Sequence, residues 1–276
     1  LTTPPSNYAA TEGQLSLVTF AEVFGLNQER AEERFAAADT HCQLEGEAGI
    51  SPHAPYSTSI EMIMQCIAYA RDQRRPLAMH VAESPAEREL LFEGSGPFVA
   101  ALKSIGAWRD GLFPWGGCDF VDLIDHLSSI PRSLLIHGND LTKNEIEQLA
   151  AYPQVTPVYC PRTHLYFGYE CHPVQLMLSM GIRVALGTDS RASNPDLNVW
   201  REVQYLLRRR QDIVPHDVLQ MATQNGAIAL GRNDLGTLDV GSQARLGVVR
   251  TVAGDLQKLY EDLSVNDFRV LDLSDD

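Results

Sequence analysis

The sequence lacks three features that would each point to a particular class of protein. No apolar run in its 276 residues approaches the ~20 residues that a membrane-spanning helix needs. Positive charge is scarce, with 22 Lys and Arg against 36 Asp and Glu, and this argues against nucleic acid as a partner because phosphate binding needs clustered basic side chains. The five cysteines are scattered and form no C-x-x-C pair, which favours reduced thiols in a cytoplasmic protein.

What the sequence does contain is an alternation of short apolar runs with helical patterns. Hydrophobic residues make up 44% of the chain, enough for a sizeable core. The predicted strands are residues 15–20, 48–53, 77–81, 133–137, 155–160 and 182–189. The main predicted helices are residues 28–38, 60–71, 143–151 and 197–210. Strands that alternate with helices imply βαβ units, so the sequence predicts an α/β fold with a parallel sheet.

Two stretches depart from this alternation. Residues 94–129 form an insertion between the third and fourth predicted strands, with helical patterns at 98–105 and 120–127. Its Gly, Trp and Phe content suits a lid or pocket wall, and a surface decoration fits equally well. The tail, residues 231–276, reads as short strands with turns. We therefore expect one domain over residues 1–230 and a small β element over residues 231–276.

Three predicted strands end in or beside a histidine, namely His53, His80 and His137. In parallel α/β folds, ligands bind at the carboxyl ends of the strands. Glu83 follows His80 by three residues, and a metal-binding His beside a Glu that moves protons recurs in metal-assisted hydrolysis. Taken singly, the His80–Glu83 pair is better explained by a core histidine and a helix-start carboxylate that the helix dipole favours, and His137 alone is weak evidence.

Asp189 ends the last predicted strand, in Val184-Ala-Leu-Gly-Thr-Asp189. A carboxylate at the end of a buried strand is unfavourable unless it is paired or bound to a metal, although an Asp there could also cap the next segment. His164 lies a few residues past the fifth predicted strand. Polar residues thus follow five successive strands. Core packing would favour apolar residues at these positions, so the combination indicates a functional site.

Five segments resemble the amidohydrolase superfamily, and most closely its branch of cytosine deaminases, guanine deaminases and chlorohydrolase-type enzymes. In the order of that family, they are Ser51-Pro-His-Ala-Pro-Tyr-Ser57, Met79-His-Val-Ala-Glu-Ser84, Ile136-His-Gly138, Val184-Ala-Leu-Gly-Thr-Asp-Ser190 with Ala192-Ser-Asn194, and Asn225-Gly-Ala227 followed by Gly236-Thr-Leu-Asp-Val-Gly241. The resemblance implies a (β/α)8 TIM-like barrel with the remnant of a small β-sandwich at the C-terminus.

The resemblance also implies a role for each residue of the constellation. His80 is similar to a metal ligand, and Glu83 resembles the acid/base that carries a proton to the leaving group. His137 resembles the histidine that holds and polarises the metal-bound hydroxide or the substrate. Asp189 resembles a ligand that also deprotonates the water, and His53 is similar to a histidine that contacts substrate. The implied metal ligands are therefore His80, His137 and Asp189, and the implied cofactor is one divalent ion, zinc or iron.

The sequence departs from the pattern of the family in two ways. The family carries a His-x-His pair at its first strand, and this sequence has none. Only six barrel strands are predicted, so we expect the N-terminal strands to be missing, the chain alone to hold metal poorly, and exposed sheet edges to favour a homo-oligomer. The segment with Arg162 and His164 also differs, and we expect it to face substrate together with His53 and Asn194.

The sequence therefore predicts a metal-dependent hydrolase that acts on carbon–nitrogen bonds other than peptide bonds. The expected reaction is deamination of an amino-substituted heterocycle through attack of a metal-bound hydroxide on a ring carbon. Two alternatives stay open. One is hydrolytic removal of chloride from a ring by the same chemistry, and the other is a non-catalytic barrel fragment or interaction subunit. The expected partner is a small heterocyclic molecule, without nucleic acid or membrane.

Overall fold

Helices and strands alternate along the residues that the computed structural model describes, which are 17–43 and 47–270. The chain divides into two units, the first ending at Pro157 and the second beginning at Val158. The predicted division near residue 230 is a different one and stays a prediction. Residues 15–16 of the first predicted strand and residues 271–276 of the predicted tail element lie outside the described residues.

The first unit alternates strands with helices, and α3 to α5 fall between two consecutive strands. Its elements are β1 (Val18–Val23), α1 (Gln28–Cys42), β2 (Glu47–Pro52), α2 (Ile60–Asp72), β3 (Leu77–Val81), α3 (Pro85–Glu93), α4 (Pro97–Ser104), α5 (Phe120–Ser128), β4 (Ser133–His137) and α6 (Lys143–Ala150), and β5 (Val155–Tyr159) contains the unit boundary. The parallel pair β3–β4 places His80 beside Ile136 and Val81 beside His137. The two histidines therefore end neighbouring strands at the same edge.

The second unit is mostly helical. After β5 it contains α7 (Pro161–Phe167), α8 (Val174–Ser179), β6 (Ala185–Leu186), α9 (Val199–Arg209), α10 (Pro215–Ala222), α11 (Gln224–Ala229), β7 (Gly247–Val249), α12 (Leu256–Val265) and β8 (Phe268–Val270). Strands β7 and β8 pair in an antiparallel hairpin-like ladder. Helix α12 lies between them in the sequence and packs on α9. Residues 236–241, which the sequence placed in the β element, form turns, and Gly236 and Gly241 take positive φ values of 87° and 96° there.

The sheet confirms the predicted fold class. Strands β1 to β6 are neighbours in chain order, and the pairs β1–β2, β2–β3, β3–β4 and β5–β6 are parallel. Neighbouring parallel strands joined by helices are the repeating unit of the (β/α)8 pattern, of which these strands account for six. Within the described residues, no helix is both long and apolar enough to span a membrane.

The core of the first unit lies between its strands and helices. Helix α2 turns Ile63, Cys66, Ile67 and Ala70 inward, which is the spacing of one helical face. The largest fully buried side chains are Phe120, Ile50, Ile63, Leu77, Met79, Leu90, Leu91, Leu123, Ile124, Leu127, Ile130 and Leu135. Several of them belong to α5, so this part of the 94–129 insertion is built into the core. Each such side chain contributes about 1.5–3 kcal/mol by burial.

One local prediction is wrong, for a reason that the hydrogen bonds explain. The strand predicted over residues 182–189 is reduced to β6, because the Ile182 N–H bonds the Met177 carbonyl and the Asn225 amide donates to the Val184 carbonyl. These contacts occupy backbone groups that a longer strand would use.

Candidate active site

His80, near the end of β3, has its ring oriented by the backbone of the chain after β2. Its Nδ1 lies 2.7 Å from the carbonyl oxygen of His53, and Nδ1 carries the proton because a carbonyl can only accept. The backbone N–H of His80 bonds the same oxygen at 3.0 Å. In the neutral ring, Nε2 is then the unprotonated nitrogen. A histidine that binds a metal is usually held in this way, through the nitrogen that does not bind.

His53 follows β2 and is kept neutral by its surroundings. Burial, and then the neighbouring His80, lower the pKa of His53 to about 4. Its Nδ1 lies 2.6 Å from Ser57 Oγ, whose own proton goes to the Ala54 carbonyl, so His53 donates to Ser57. The ring centroids of His53 and His80 are 4.9 Å apart. The predicted contact of His53 with substrate stays a prediction, and a neutral imidazole is the form that would make it at pH 7.

His137 ends β4 in a backbone conformation that residues other than glycine rarely adopt. Its φ is 72°, and its side chain is buried. Its ring centroid lies 5.3 Å from that of His80. The next residue, Gly138, also has a positive φ, and its N–H bonds the Val81 carbonyl at 3.0 Å, which ties the end of β4 to the end of β3. Residues held in such conformations concentrate at functional sites.

The two carboxylate oxygens of Glu83 have different neighbours. Oε1 lies 3.7 Å from Nε2 of His137. Oε2 accepts a hydrogen bond of 2.9 Å from the hydroxyl of Tyr56. Glu83 thus stands beside His137, whereas the sequence pattern paired it with His80, and its role as an acid/base stays a prediction. The tyrosine was within a motif that the sequence singled out, but nothing in the sequence indicated this contact.

The backbone of Glu83 is held by two further side chains that the sequence did not identify. The Glu87 carboxyl accepts from the Glu83 N–H at 2.7 Å and from the Ala82 N–H at 3.2 Å. Ala82 has a φ of 52°, so these bonds stabilise a turn that a residue with a β-carbon adopts reluctantly. The Asn139 amide donates to the Glu83 carbonyl at 2.9 Å. The turn between β3 and α3 is therefore fixed on both sides of Glu83.

Glu87 is fully buried, which its position in the sequence did not indicate. The pattern Ser84-Pro-Ala-Glu87 predicts a helix start in which Glu87 stabilises the first turn, and Ser84 does cap α3. The Glu87 carboxyl, however, points to the amides of the preceding turn. Burial raises its pKa to about 8, against the lowering effect of those two hydrogen bonds. Glu87 is thus a structural carboxyl of the turn that carries Glu83.

In the second unit, Asp189 follows β6 in a loop and also has a positive φ, of 58°. Its Oδ2 accepts a hydrogen bond of 2.8 Å from Ser193. Ser193 is buried and lies within hydrogen-bonding distance of the Thr163 hydroxyl, at 3.1 Å. The carboxylate of Asp189 is therefore oriented by a buried serine four residues further along the same loop.

The loop that carries Asp189 is anchored by a buried carboxylate on α9. Glu202 is fully buried, and it accepts from Arg162 Nε at 2.6 Å and from the Arg162 backbone N–H at 2.9 Å. Asn194 donates to Glu202 and to the Thr188 carbonyl, both at 2.8 Å. Arg162 also pairs with Asp196 at 2.6 Å. The predicted contacts of Arg162 and Asn194 with substrate stay predictions, and these bonds show that both side chains also shape the loop.

His164 lies in α7, apart from that network. It is buried, and its Nε2 donates to the Glu170 carbonyl. Its ring meets Tyr159 and Tyr169 edge-on, with centroid distances of 5.9 and 5.8 Å. Burial lowers its pKa. Its predicted contact with substrate is untested by this arrangement.

The first unit thus brings together His53, His80, Glu83 and His137, and the second unit joins Asp189, Asn194 and Arg162 through one loop. His80, His137 and Asp189 each offer one atom that can bind a metal ion. Neutral imidazoles and a carboxylate are the donors that zinc and iron accept.

One further carboxylate was not identified from the sequence. Glu22 of β1 is half-buried, which raises its pKa, and the nearby charges of His80 and Arg34 oppose that shift.

Comparison with known proteins identifies relatives along most of the chain. The model of the amidohydrolase family matches residues 21–270. A 5-methylthioadenosine/S-adenosylhomocysteine deaminase of Nitratidesulfovibrio vulgaris is 32% identical over 222 residues, which are 78% of this chain and 46% of that protein. An aminodeoxyfutalosine deaminase of Deinococcus radiodurans is 30% identical over 230 residues, or 79% of this chain and 55% of the relative. The chain spans about half the length of these curated relatives.

Solved structures share the fold. The Helicobacter pylori aminofutalosine deaminase superposes with a TM-score of 0.81 at 22% identity, over 94% of this chain and 67% of that one. A guanine deaminase of C. acetobutylicum gives 0.67 at 18% identity, over 92% and 64%. At such identities the likeness concerns the fold alone.

Proposed function

Because the chain belongs to the amidohydrolase family, we propose that it forms the catalytic part of a hydrolase that deaminates an amino-substituted heterocycle. The observation that carries the proposal is the placement of Glu83 beside His137, on neighbouring strand ends with an oriented His80. The curated relatives are deaminases of adenosine-like molecules, which favours deamination over removal of ring chloride. We therefore place the substrate among nucleosides that carry an amino group on a purine ring.

His80, His137 and Asp189 would hold the divalent ion, zinc or iron, of this enzyme. The fit rests on the donor set and on the orientation of His80, whose Nδ1–H is engaged by the His53 carbonyl and whose Nε2 is the nitrogen left to bind. A bound divalent ion would supply polarisation of the attacking water and would lower its pKa. His53 would remain neutral at pH 7 because of its lowered pKa, so it would not repel the ion.

The protons of the reaction would move between carboxylates of this chain. Deamination adds water to the ring carbon and releases ammonia, so one proton leaves the water and the departing nitrogen gains one. Asp189 would accept the proton of the water, with its carboxylate oriented by Ser193. Glu83 would deliver a proton to the departing nitrogen, since it is the carboxyl held beside His137. His53, Arg162, His164 and Asn194 would contact the substrate or shape the loops around it.

The proposal is tested by ammonia release from a panel of purine nucleosides, pyrimidines and triazines, with Zn²⁺ or Fe²⁺ supplied. We expect release from adenosine-type nucleosides, and Glu83→Gln should lower the rate by about 10²–10⁴-fold, which is the usual contribution of a general acid or base. Glu147→Gln is the matched control, because Glu147 is an exposed residue of α6. Release of chloride without ammonia would show that the reaction is removal of ring chloride and not deamination. Full activity of Glu83→Gln, or no release from any compound, would overturn the proposal.

Two further properties belong to the same proposal. We expect the enzyme to form a homo-oligomer and to work in the cytoplasm. Light scattering of the purified protein measures the first, and a single monomeric species would contradict it.

A further inference from the structure

Tyr56 makes three contacts, one of which is with the candidate acid/base. It lies between β2 and α2, and its hydroxyl donates to Oε2 of Glu83 at 2.9 Å. Its ring stacks on the ring of Phe98 with a centroid distance of 4.7 Å and an interplanar angle of 11°. Its edge meets His53 at 5.7 Å and 85°. The ring is thus supported on one face while its hydroxyl reaches the carboxylate.

Phe98 connects this contact to the 94–129 insertion. It lies in the first turn of α4, which packs on α3, the helix that begins two residues after Glu83. A stacked aromatic pair is stabilised beyond the burial of its area. Phe98 therefore restricts the Tyr56 ring to one orientation, and this is the first specific link between the insertion and the site.

We infer that Tyr56 is a positioning residue for Glu83, and that Phe98 of the insertion fixes Tyr56 for this purpose. The inference rests on the proposed function. Tyr56 donates its hydroxyl proton to Oε2, so Oε2 is engaged as an acceptor. Oε1 is the oxygen that faces His137, at 3.7 Å from Nε2. Loss of the hydroxyl would remove one contact that holds the carboxyl in this orientation.

Kinetics test the role in catalysis. Tyr56→Phe keeps the stacked ring and removes only the hydroxyl, and kcat should fall about 2- to 10-fold, which is the loss expected for one hydrogen bond between neutral groups. KM should stay within about twofold, because substrate binding is not changed. Phe98→Leu keeps the hydroxyl but loosens the ring, and it should lower kcat by a smaller factor. Unchanged kcat in Tyr56→Phe, or a change in KM alone, would overturn the inference.

Tyr69→Phe is the matched control. Tyr69 also donates its hydroxyl to a carboxylate, Asp39, at 2.8 Å, but on α2 and α1 and away from the strand ends. This variant should leave kcat and KM unchanged. An equal loss of kcat in both tyrosine variants would assign the effect to the fold and would contradict a role specific to Glu83.

Fluorine NMR of the chain labelled with fluorotyrosine tests the contact without any enzymatic activity. The signal that disappears in Tyr56→Phe belongs to Tyr56, and we expect it to shift in Glu83→Gln and in Phe98→Leu but not in Tyr69→Phe. A Tyr56 signal that ignores Glu83→Gln would overturn the inference. A signal that shifts in a protein that releases no ammonia would support the contact and reject the proposed function, so the two failures are distinguishable.

Discussion

The turn that carries Glu83 in the first unit and the loop that carries Asp189 in the second unit are both held in a fixed conformation, but by different groups. Both follow a strand, and both contain a residue other than glycine at positive φ, Ala82 at 52° and Asp189 at 58°. The first is held by a tyrosine hydroxyl, an asparagine amide and the Glu87 carboxyl, whose pKa is raised to about 8. The second is held by ion pairs of Arg162.

The difference indicates which turn should respond to pH near neutrality. A guanidinium remains charged at any pH at which the protein folds, so the anchor of the Asp189 loop keeps its positive partner. The buried Glu87 carboxyl can change its charge close to pH 8, and its ionised form lacks solvent. We therefore expect the first turn to be sensitive to pH and the second to be sensitive to substitution of a charged residue.

The largest effect should come from removing the buried charge of the second unit. Glu202→Gln leaves the half-buried Arg162 without its buried carboxylate, and loss of one partner of such a pair lowers the free energy of unfolding by about 3–5 kcal/mol. Urea unfolding measures the change. Glu261→Gln is the control, because Glu261 pairs with Lys258 at 3.4 Å with both side chains exposed, and this variant should lose less than about 1 kcal/mol. Equal losses would show that burial does not decide the strength of these pairs.

The next effect, in the first unit, depends on pH. The pKa of Glu87 is raised in the folded protein, so folding favours its protonated form, and the associated stability is present below about pH 4.5 and is lost as the pH rises toward 8. Glu87→Gln cannot ionise. The stability of the wild type relative to this variant should therefore fall by a few kcal/mol, roughly, between those two pH values.

Ser84→Ala separates this effect from simple loss of a helix cap. Ser84 accepts from the Glu87 N–H and does not titrate, so its removal should lower stability by about 1 kcal/mol at every pH. If the stabilities of the wild type and of Glu87→Gln change with pH in parallel, Glu87 titrates as it does in the unfolded chain and the prediction of a pH-sensitive first turn is wrong.

The sequence predicted the strand ends better than the groups that support them. Strands β3 and β4 are found at their predicted bounds, because alternating apolar runs followed by helix caps leave little freedom in placing them. Helix α12 was missed although Leu256, Leu259 and Leu263 keep the spacing of one helical face, because the short strand patterns on either side of it favoured a β element. The roles of Tyr56, Asn139 and Glu87 could not be read from the sequence, since each depends on a contact with a turn that only the folded chain brings near.

Asp196→Asn should have the smallest effect on stability. It is also the most direct test of whether burial decides the strength of an ion pair, because Asp196 shares Arg162 with Glu202. Asp196 is 41% exposed and Glu202 fully buried, so two carboxylates meet one guanidinium at different depths. Hydrogen bonds from Arg162 lower the pKa of Asp196 to about 2, and this contribution is present above about pH 3.8 and is lost as the pH falls toward 2. Asp196→Asn should therefore lower the free energy of unfolding by only about 0.2–1 kcal/mol at pH 7, and high salt should reduce the difference. If Asp196→Asn instead equals Glu202→Gln in urea unfolding, the Asp189 loop is held by the total charge around Arg162, and the burial of Glu202 is not what anchors it.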